Sequence, residues 1–223
     1  MLIMILLWFN WFYPFIQRDL FCFCFPACDG QADVVFVIDA SGSIRQSRFQ
    51  TVLEYVTTVV EQLEVAQDRT RVGVVVYSDD AEVKFQLNTY PSKQDVLSAI
   101  RSQRWIQGRT NTAAALNIMT QTMFTPANGD RYDVPNYAIV VTDGESNVQK
   151  EQTLPSAIAA RLAGIHLMVV TVSEKPNLEL KGIASDPDDN NLLYVNRFDL
   201  LPTITDTLVS NMCDGVYLTS SFN

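Results

Sequence analysis

Val34-Val35-Phe36-Val37-Ile38 is an unbroken apolar run, and Asp39-Ala40-Ser41-Gly42-Ser43 follows it directly. An apolar run of this length that ends in a tight polar turn predicts a buried β-strand. The turn places one carboxylate and two hydroxyls close together at the end of that strand. Oxygen groups of this kind are the hard ligands that Mg²⁺ or Mn²⁺ prefers. The stretch therefore predicts a central strand with a candidate metal site at its carboxyl end.

Two later segments supply further oxygen groups. Thr110 lies in Gly108-Arg109-Thr110-Asn111-Thr112, and Asp143 follows a second apolar strand in Val141-Thr142-Asp143-Gly144-Glu145. Each segment also has a plainer explanation when it is taken alone. Asp39, Ser41 or Thr110 could cap a helix, and Asp143-Gly144 could be an ordinary turn. The combination of all three segments, with two of them at strand ends, favours metal binding.

The rest of the chain alternates between strand and helix patterns. This alternation predicts an α/β fold with a doubly wound, mostly parallel central sheet, one antiparallel edge strand and helices on both faces. The Ser92 to Asp95 spacing predicts a helix start. The predicted strands cover residues 33–38, 71–77, 81–87, 137–142, 165–172 and 192–195. The predicted helices cover residues 47–63, 92–102, 112–123, 152–163, 178–184 and 200–212.

In their order and context, these segments resemble the von Willebrand factor type A (vWA) domain family over residues 32–212. The resemblance implies a Rossmann-like fold whose first and fourth strands are neighbours. It also implies a metal ion-dependent adhesion site that holds Mg²⁺, or Mn²⁺ in its place. The metal-binding residues would be Asp39, Ser41, Ser43, Thr110 and Asp143. Many relatives carry Gly where this chain has Ala40.

The resemblance further implies an adhesion function without catalysis, as in matrilins, collagen-associated proteins and integrin α subunits. The partner would be an extracellular matrix protein such as a collagen, which would place an Asp or Glu carboxylate on the ion. A rim around the ion could set the choice of partner, or its residues could simply be solvated loop positions. The expected rim residues are Arg109, Asn111, Glu145, Ser146 and Asn147.

The two ends of the chain indicate an extracellular protein. Residues 1–16 are nearly all apolar, so residues 1–27 are expected to be a signal peptide or leader, with a signal anchor or a mispredicted first exon as alternatives. Only a signal anchor would place the protein on a membrane. By resemblance, Cys28 and Cys213 form a disulfide that closes a domain spanning residues 28–213, although they could be two unrelated buried thiols. Residues 214–223 show no clear pattern, and we expect secretion into the extracellular matrix.

Composition and motifs exclude several function classes. The net charge of −9 and the pI near 4.5 leave no basic stripe for nucleic acid. The only histidine, His166, lies in an uncharged strand, and no Gly-x-Ser-x-Gly, Gly-x-Gly-x-x-Gly or Walker motif indicates a catalytic triad or a small-molecule substrate. Residues 186–191 begin like a calcium loop but lack its glycine, and Arg197 replaces its glutamate, so an acidic turn is expected.

Two rival functions stay open from the sequence. One is a structural or assembly module of the extracellular matrix, without metal-dependent ligand binding, whose partners engage helices or the predicted edge strand 81–87. The other, more remote, is a metal-assisted α/β hydrolase.

Overall fold

A six-stranded sheet forms the centre of the domain, in the order β3-β2-β1-β4-β5-β6. The computed structural model describes residues 30–220, and side-chain surroundings for residues 30–213. Every strand pair is parallel except β2 with β3, so the predicted α/β fold with one antiparallel edge strand is confirmed. The strands are β1 Ala32–Asp39, β2 Thr70–Tyr77, β3 Ala81–Phe85, β4 Asn136–Thr142, β5 Ile165–Val172 and β6 Leu192–Val195.

Helices cover both faces of the sheet. They are α1 Arg45–Gln62, α2 Lys93–Arg101, α3 Thr112–Ile118, α4 Lys150–Leu162, α5 Leu178–Ile183, α6 Asp188–Asn191 and α7 Thr205–Ser220. Residues Val34, Phe36 and Ile38 of β1 belong to one core, together with residues of α1, α2 and α7. Val35 and Val37 belong to the opposite core, together with residues of α3, α4 and α5. Burial on both faces explains why β1 is an unbroken apolar run rather than an alternating one.

Several predicted boundaries differ from the structure. The predicted helix 112–123 is α3 followed by a π-helical turn, Met119–Met123, which keeps both methionines fully buried. The closing helix begins as a 3₁₀ segment, Phe198–Ile204, that contains Pro202, and the α-helix starts only after it. A proline lacks the backbone N–H that an α-helix interior needs, which accounts for the late start.

Helix is also present in two segments where the sequence did not predict it. The helix α7 continues to Ser220, into the region expected to have no pattern. The acidic segment 186–191 contains the short helix α6 rather than only a turn. In contrast, the helix start at Ser92 is confirmed, because the Ser92 hydroxyl accepts the backbone N–H of Asp95 at 3.3 Å.

A buried ion pair lies at the amino end of β1, opposite the end that carries the candidate metal site. The carboxylate of Asp33 is fully buried and accepts hydrogen bonds from the backbone N–H of Arg131 at 2.8 Å, from its Nε at 3.0 Å and from its Nη2 at 2.6 Å. The Arg131 guanidinium also donates to the backbone carbonyls of Ala32 and Arg69. Arg131 thus connects three chain segments at the amino ends of β1 and β2.

The end of the domain carries one cysteine with a structural role. Cys213 is buried and disulfide-bonded. Its partner lies outside the described residues, as do the expected leader 1–27 and Cys28, so the pairing of Cys28 with Cys213 stays a prediction. Among residues 30–220, no helix is both long enough and apolar enough to cross a membrane.

Candidate metal centre

Three loops meet at the carboxyl edge of β1 and β4, which are neighbours in the sheet. The first loop follows β1, the second precedes α3, and the third follows β4. The backbone N–H of Gly42 donates to the carbonyl of Gly108 at 2.9 Å and joins the first loop to the second. The backbone N–H of Asn147 donates to the carbonyl of Thr110 at 2.9 Å and joins the third loop to the second. The fold therefore brings together the three segments that the sequence singled out.

Three side-chain oxygens from two of these loops converge. The hydroxyl oxygens of Ser41 and Ser43 are 3.0 Å apart, and the Ser43 hydroxyl donates to Oδ1 of Asp143 at 2.7 Å. In an octahedral Mg²⁺ site with metal–oxygen distances of about 2.1 Å, neighbouring ligand oxygens are about 3.0 Å apart. The spacing and the oxygen-only chemistry of these donors therefore fit a hard divalent cation. Ser43 is exposed and Asp143 is half-buried, so the site faces solvent.

Asp39 holds the first loop in place from the buried side. Its side chain is fully buried; Oδ1 accepts the backbone N–H of Ser41 at 2.8 Å, and Oδ2 accepts the hydroxyl of Thr142 at 2.8 Å. Burial raises the pKa of Asp39 to about 6, because desolvation disfavours its charged form more than these hydrogen bonds favour it. Asp39 and Ser41 do not cap α1, whose preceding residue Ile44 makes no side-chain capping bond. The capping alternative for this loop is therefore wrong.

Asp143 supplies the second carboxylate. Burial raises its pKa, while the hydrogen bond from Ser43 and the positive charge of Arg48 lower it. A divalent cation beside Asp39 and Asp143 would offset the desolvation of both carboxylates. Within the described part of the chain, no cluster of three or more His, Cys, Asp or Glu could hold a metal. A cation at this site would therefore need hydroxyl and water ligands besides the two carboxylates.

Thr110 is held by its backbone rather than used as a helix cap. Asn111 caps α3 instead, because its Oδ1 accepts the backbone N–H of Ala114 at 3.1 Å. The N–H of Thr110 donates to Oδ1 of Asn147 at 2.9 Å. Its carbonyl accepts the backbone N–H of Asn147 and Val148 and the hydroxyl of Ser146, at 2.9, 3.1 and 3.1 Å. These bonds form a clamp that fixes where the buried Thr110 lies relative to the third loop.

Glu179 supports the clamp from α5. Its carboxylate is 8% exposed and accepts the backbone N–H of Ser146 at 2.7 Å. Burial raises the pKa of Glu179, and the bond from Ser146 lowers it. Sequence reasoning missed this residue, because a glutamate in the first turn of a short helix is also typical of an ordinary helix start.

Two other supporting contacts were also missed. The indole Nε1 of Trp105 donates to the carbonyl of Ser41 at 3.0 Å. The carboxylate of Asp79 accepts from Nε of Arg109 at 2.6 Å and holds the second loop from the turn between β2 and β3. These contacts join residues that are 64 and 30 positions apart, so no local pattern could have indicated them.

The expected rim is only partly exposed. Arg109, Glu145 and Asn147 are exposed, as a rim requires. Ser146 and Asn111 are only 2% and 5% exposed, and their polar groups are used inside the protein, so the expectation is wrong for these two. The clamp on Thr110 and the cap of α3 need these side chains to point inward.

We expect the variant Asn147→Ala to lower Mg²⁺ affinity by about tenfold, because it removes the acceptor for the N–H of Thr110 and so loosens a proposed metal-binding residue. Calorimetric titration with Mg²⁺ measures this effect. Asn211→Ala is the control, since it also removes one asparagine side-chain hydrogen bond but does so between α7 and α6, away from the site. Equal Mg²⁺ affinities for the two variants would contradict a positioning role for Asn147.

The family profile of the von Willebrand factor type A domain matches residues 33–207. The chain belongs to the vWA domain family. The profile spans the sheet and all three site loops, so the resemblance that rested on those loops is confirmed.

The sequence relatives of this vWA domain are much longer proteins. It is 36% identical over 186 residues to the collagen alpha-1(XII) chain of Notophthalmus viridescens, covering 83% of this chain and 20% of that protein. It is 32% identical to vitrin of Homo sapiens, covering 85% of this chain and 27% of that protein. It is 32% identical to matrilin-1 of Gallus gallus, covering 84% of this chain and 38% of that protein. The chain thus spans less than two fifths of the length of these relatives.

Solved structures show the same fold. Proximal thread matrix protein 1 from the mussel byssus superposes with a TM-score of 0.78 at 25% identity, covering 83% of this chain and 48% of that one. A second structure of that protein has zinc in its metal ion-dependent adhesion site (MIDAS) motif. It superposes with a TM-score of 0.75 at 28% identity, covering 83% of this chain and 46% of that one. Zinc thus occupies the metal ion-dependent adhesion site of a structural neighbour.

Proposed function

We propose that this vWA domain is an extracellular adhesion module that binds a matrix protein through a divalent cation. The ion is Mg²⁺, with Mn²⁺ able to substitute, and an Asp or Glu carboxylate of the partner fills its open position. The convergence of the Ser41 and Ser43 hydroxyls with the Asp143 carboxylate at a solvent-facing edge carries this proposal.

The proposed ligands explain why such a site would seek an outside carboxylate. Ser41, Ser43 and Thr110 would contribute neutral hydroxyl oxygens, while Asp39 and Asp143 would balance the charge directly or through water. When bound, the ion supplies a positive charge that few protein carboxylates neutralise. The residues of this chain orient the hydroxyls: Asp39 holds the turn, and the clamp holds Thr110. Binding a partner in this way needs no bond to be made or broken.

The lone histidine supports a function without catalysis. His166 is the second residue of β5, at the opposite end of the strands from the site. Its Nε2 is hydrogen-bonded to Asn191 Oδ1 at 2.7 Å, and its ring packs against Tyr137. This is the arrangement of a satisfied structural histidine rather than of a general base beside a metal.

Location and boundaries belong to the same proposal. The relatives include collagen chains and a matrilin, which supports secretion into the extracellular matrix. Residues 1–27 would serve as the leader, and a Cys28–Cys213 disulfide would close the domain. The partner would be a matrix protein such as a collagen.

Metal removal tests the proposal. We expect the full chain to bind immobilised fibrillar collagen in Mg²⁺, to lose that binding in EDTA and to regain it when Mg²⁺ or Mn²⁺ is restored, as measured by surface plasmon resonance. Collagen with chemically amidated carboxyl groups is the control and should not bind. Binding that EDTA leaves unchanged would instead favour the structural or assembly module.

A further inference from the structure

We infer that the first turn of α1 is a second binding element, which takes an additional acidic group of the ligand beside the metal centre. We call Arg45 and Arg48 the arginine shelf. This inference rests on the proposed function, since it concerns the same ligand. It adds the chemical class of that ligand: a protein segment with two neighbouring acidic side chains.

The cations around the site fall into two groups. Arg109 is paired with Asp79 at 2.6 Å, and Lys150 is paired with Glu145. The arginine shelf is different, because both of its side chains are exposed and neither forms an ion pair with a carboxylate of residues 30–213. The two shelf arginines therefore keep an unneutralised charge, as does the exposed Arg104 of the second loop.

The side chain of Arg48 has a defined place at the start of α1, next to the metal centre along the chain. Its guanidinium carbon lies 5.1 Å from the centre of the Phe198 ring, so a cation–π contact holds the side chain in place. The helix α1 begins only two residues after Ser43. The shelf and the metal centre are therefore adjacent parts of one surface.

The shelf also breaks a local rule of helix design. The amino end of a helix carries partial positive charge, so acidic residues favour its first turn and basic residues disfavour it. The first turn of α1 has no acidic residue and contains both shelf arginines. This cluster lies on a chain whose net charge is −9. A locally unfavourable placement of this kind is typical of residues kept for binding.

The charges around the bound cation specify the ligand. When Asp143 binds the ion, its negative charge is no longer available to neutralise Arg48. One ligand carboxylate would satisfy the ion and leave the arginine shelf unneutralised. Beside the third loop and α4 lies a groove of about 500 Å³ whose lining includes three glutamates, Glu145, Glu151 and Glu179, and one cation, Lys150. The second acidic group of the ligand therefore belongs over α1 rather than over α4.

Capped synthetic peptides test this inference. The one-acid probe is a glycine-rich peptide with a single glutamate, and the two-acid probes add one aspartate at each of several spacings on either side. Fluorescence polarisation measures their affinities in Mg²⁺ and in EDTA. In Mg²⁺ and low salt, we expect the best two-acid peptide to bind the full chain about threefold more tightly than the one-acid peptide, the scale of one exposed ion pair.

Matched variants assign that preference to the shelf. In Arg48→Gln, the two-acid and one-acid peptides should bind with about equal affinity. Arg48→Lys should retain part of the preference for the two-acid peptide. Arg101→Gln is the control, because it removes the same charge from an exposed arginine on α2 that is paired with Glu61. Raising the salt from about 0.1 M to about 1 M, which shortens the screening length from about 10 Å to about 3 Å, should reduce the preference in the wild type.

The outcomes separate this inference from the proposed function. One-acid binding that EDTA abolishes, with a two-acid preference that Arg48→Gln removes, supports both. EDTA-sensitive binding without a two-acid preference, or with a preference that Arg48→Gln retains, overturns the shelf and leaves the metal site standing. The shelf is also overturned if Arg48→Gln lowers Mg²⁺ affinity, because loss of a nearby cation should not weaken cation binding. Two-acid binding that persists in EDTA, or a complete lack of peptide binding, overturns the shelf, and the collagen measurement in EDTA then decides the proposed function separately.

Discussion

Replacing Ser41 and Ser43 together by alanine is expected to weaken Mg²⁺ binding by at least about 100-fold. Loss of a group that only supports a metal ligand already costs roughly 10- to 100-fold, and this variant removes two proposed ligands directly. The fold should survive, because the buried Asp39 keeps the hydrogen bond from the Thr142 hydroxyl, and Asp143, which loses the bond from Ser43, lies half-buried at a solvent-facing edge where water can replace it. The backbone N–H of Ser41, which Asp39 accepts, is retained.

Calorimetry with Mg²⁺ and thermal unfolding in EDTA together measure this effect. The control is Ser98→Ala/Ser210→Ala, which removes two exposed hydroxyls on α2 and α7, away from the three loops. The metal site would be refuted by saturable Mg²⁺ binding of similar affinity in both double variants. If binding is lost and the unfolding temperature in EDTA is unchanged, the serines act on the ion and not on the fold.

Replacing Asp33 by alanine is expected to lower the free energy of unfolding by about 3–5 kcal/mol, since it leaves the buried charge of Arg131 without its partner. Only 14% of the Arg131 side chain is exposed, so water cannot easily replace the Asp33 carboxylate as its hydrogen-bond partner. Burial raises the pKa of Asp33 in spite of the adjacent guanidinium, because desolvation disfavours the charged carboxylate. Removing both partners should therefore cost much less than removing one.

Urea denaturation of Asp33→Ala and of the double variant Asp33→Leu/Arg131→Met measures these two effects. Asp199→Ala is the control, because it breaks a surface pair with Arg197 in which both side chains are about two-thirds exposed; its effect should stay below about 1 kcal/mol. The buried pair would have no special role if Asp33→Ala were no more destabilising than Asp199→Ala. Mg²⁺ affinity in Asp33→Ala should match the wild type while the protein is folded, since this pair lies at the far end of β1.

Patterns within single segments predicted most of the architecture. The two-sided burial of β1 and β4 appears in the sequence as unbroken apolar runs, and the period-two alternation of residues 81–87 predicted the edge strand, although β3 ends at Phe85. Boundaries were less accurate where proline or a π-helical turn intervened, as at Pro202 and at Met119–Met123. Such irregularities depend on how side chains pack in the core, which local periodicity does not contain.

The candidate site divides in the same way. Its proposed metal-binding residues could be named from the sequence, because Asp39, Ser41, Ser43, Thr110 and Asp143 lie in short segments of recognisable composition. Their supports could not, because Trp105, Asp79 and Glu179 reach the loops from distant elements. The inward-pointing Ser146 and Asn111 belong to the same class, since burial of a loop side chain depends on what packs against it.

By itself, the sequence determined the fold class, the order of the three site segments and their placement at strand ends, because hydrophobic period and strand-end chemistry are local properties. Only the tertiary structure decided which oxygens converge, which rim residues face solvent and which cations keep an unneutralised charge. Arg48 shows the physical reason. Its importance comes from the Phe198 ring beneath it, 150 positions later, and from carboxylates that pair with Arg109 and Lys150 but not with it.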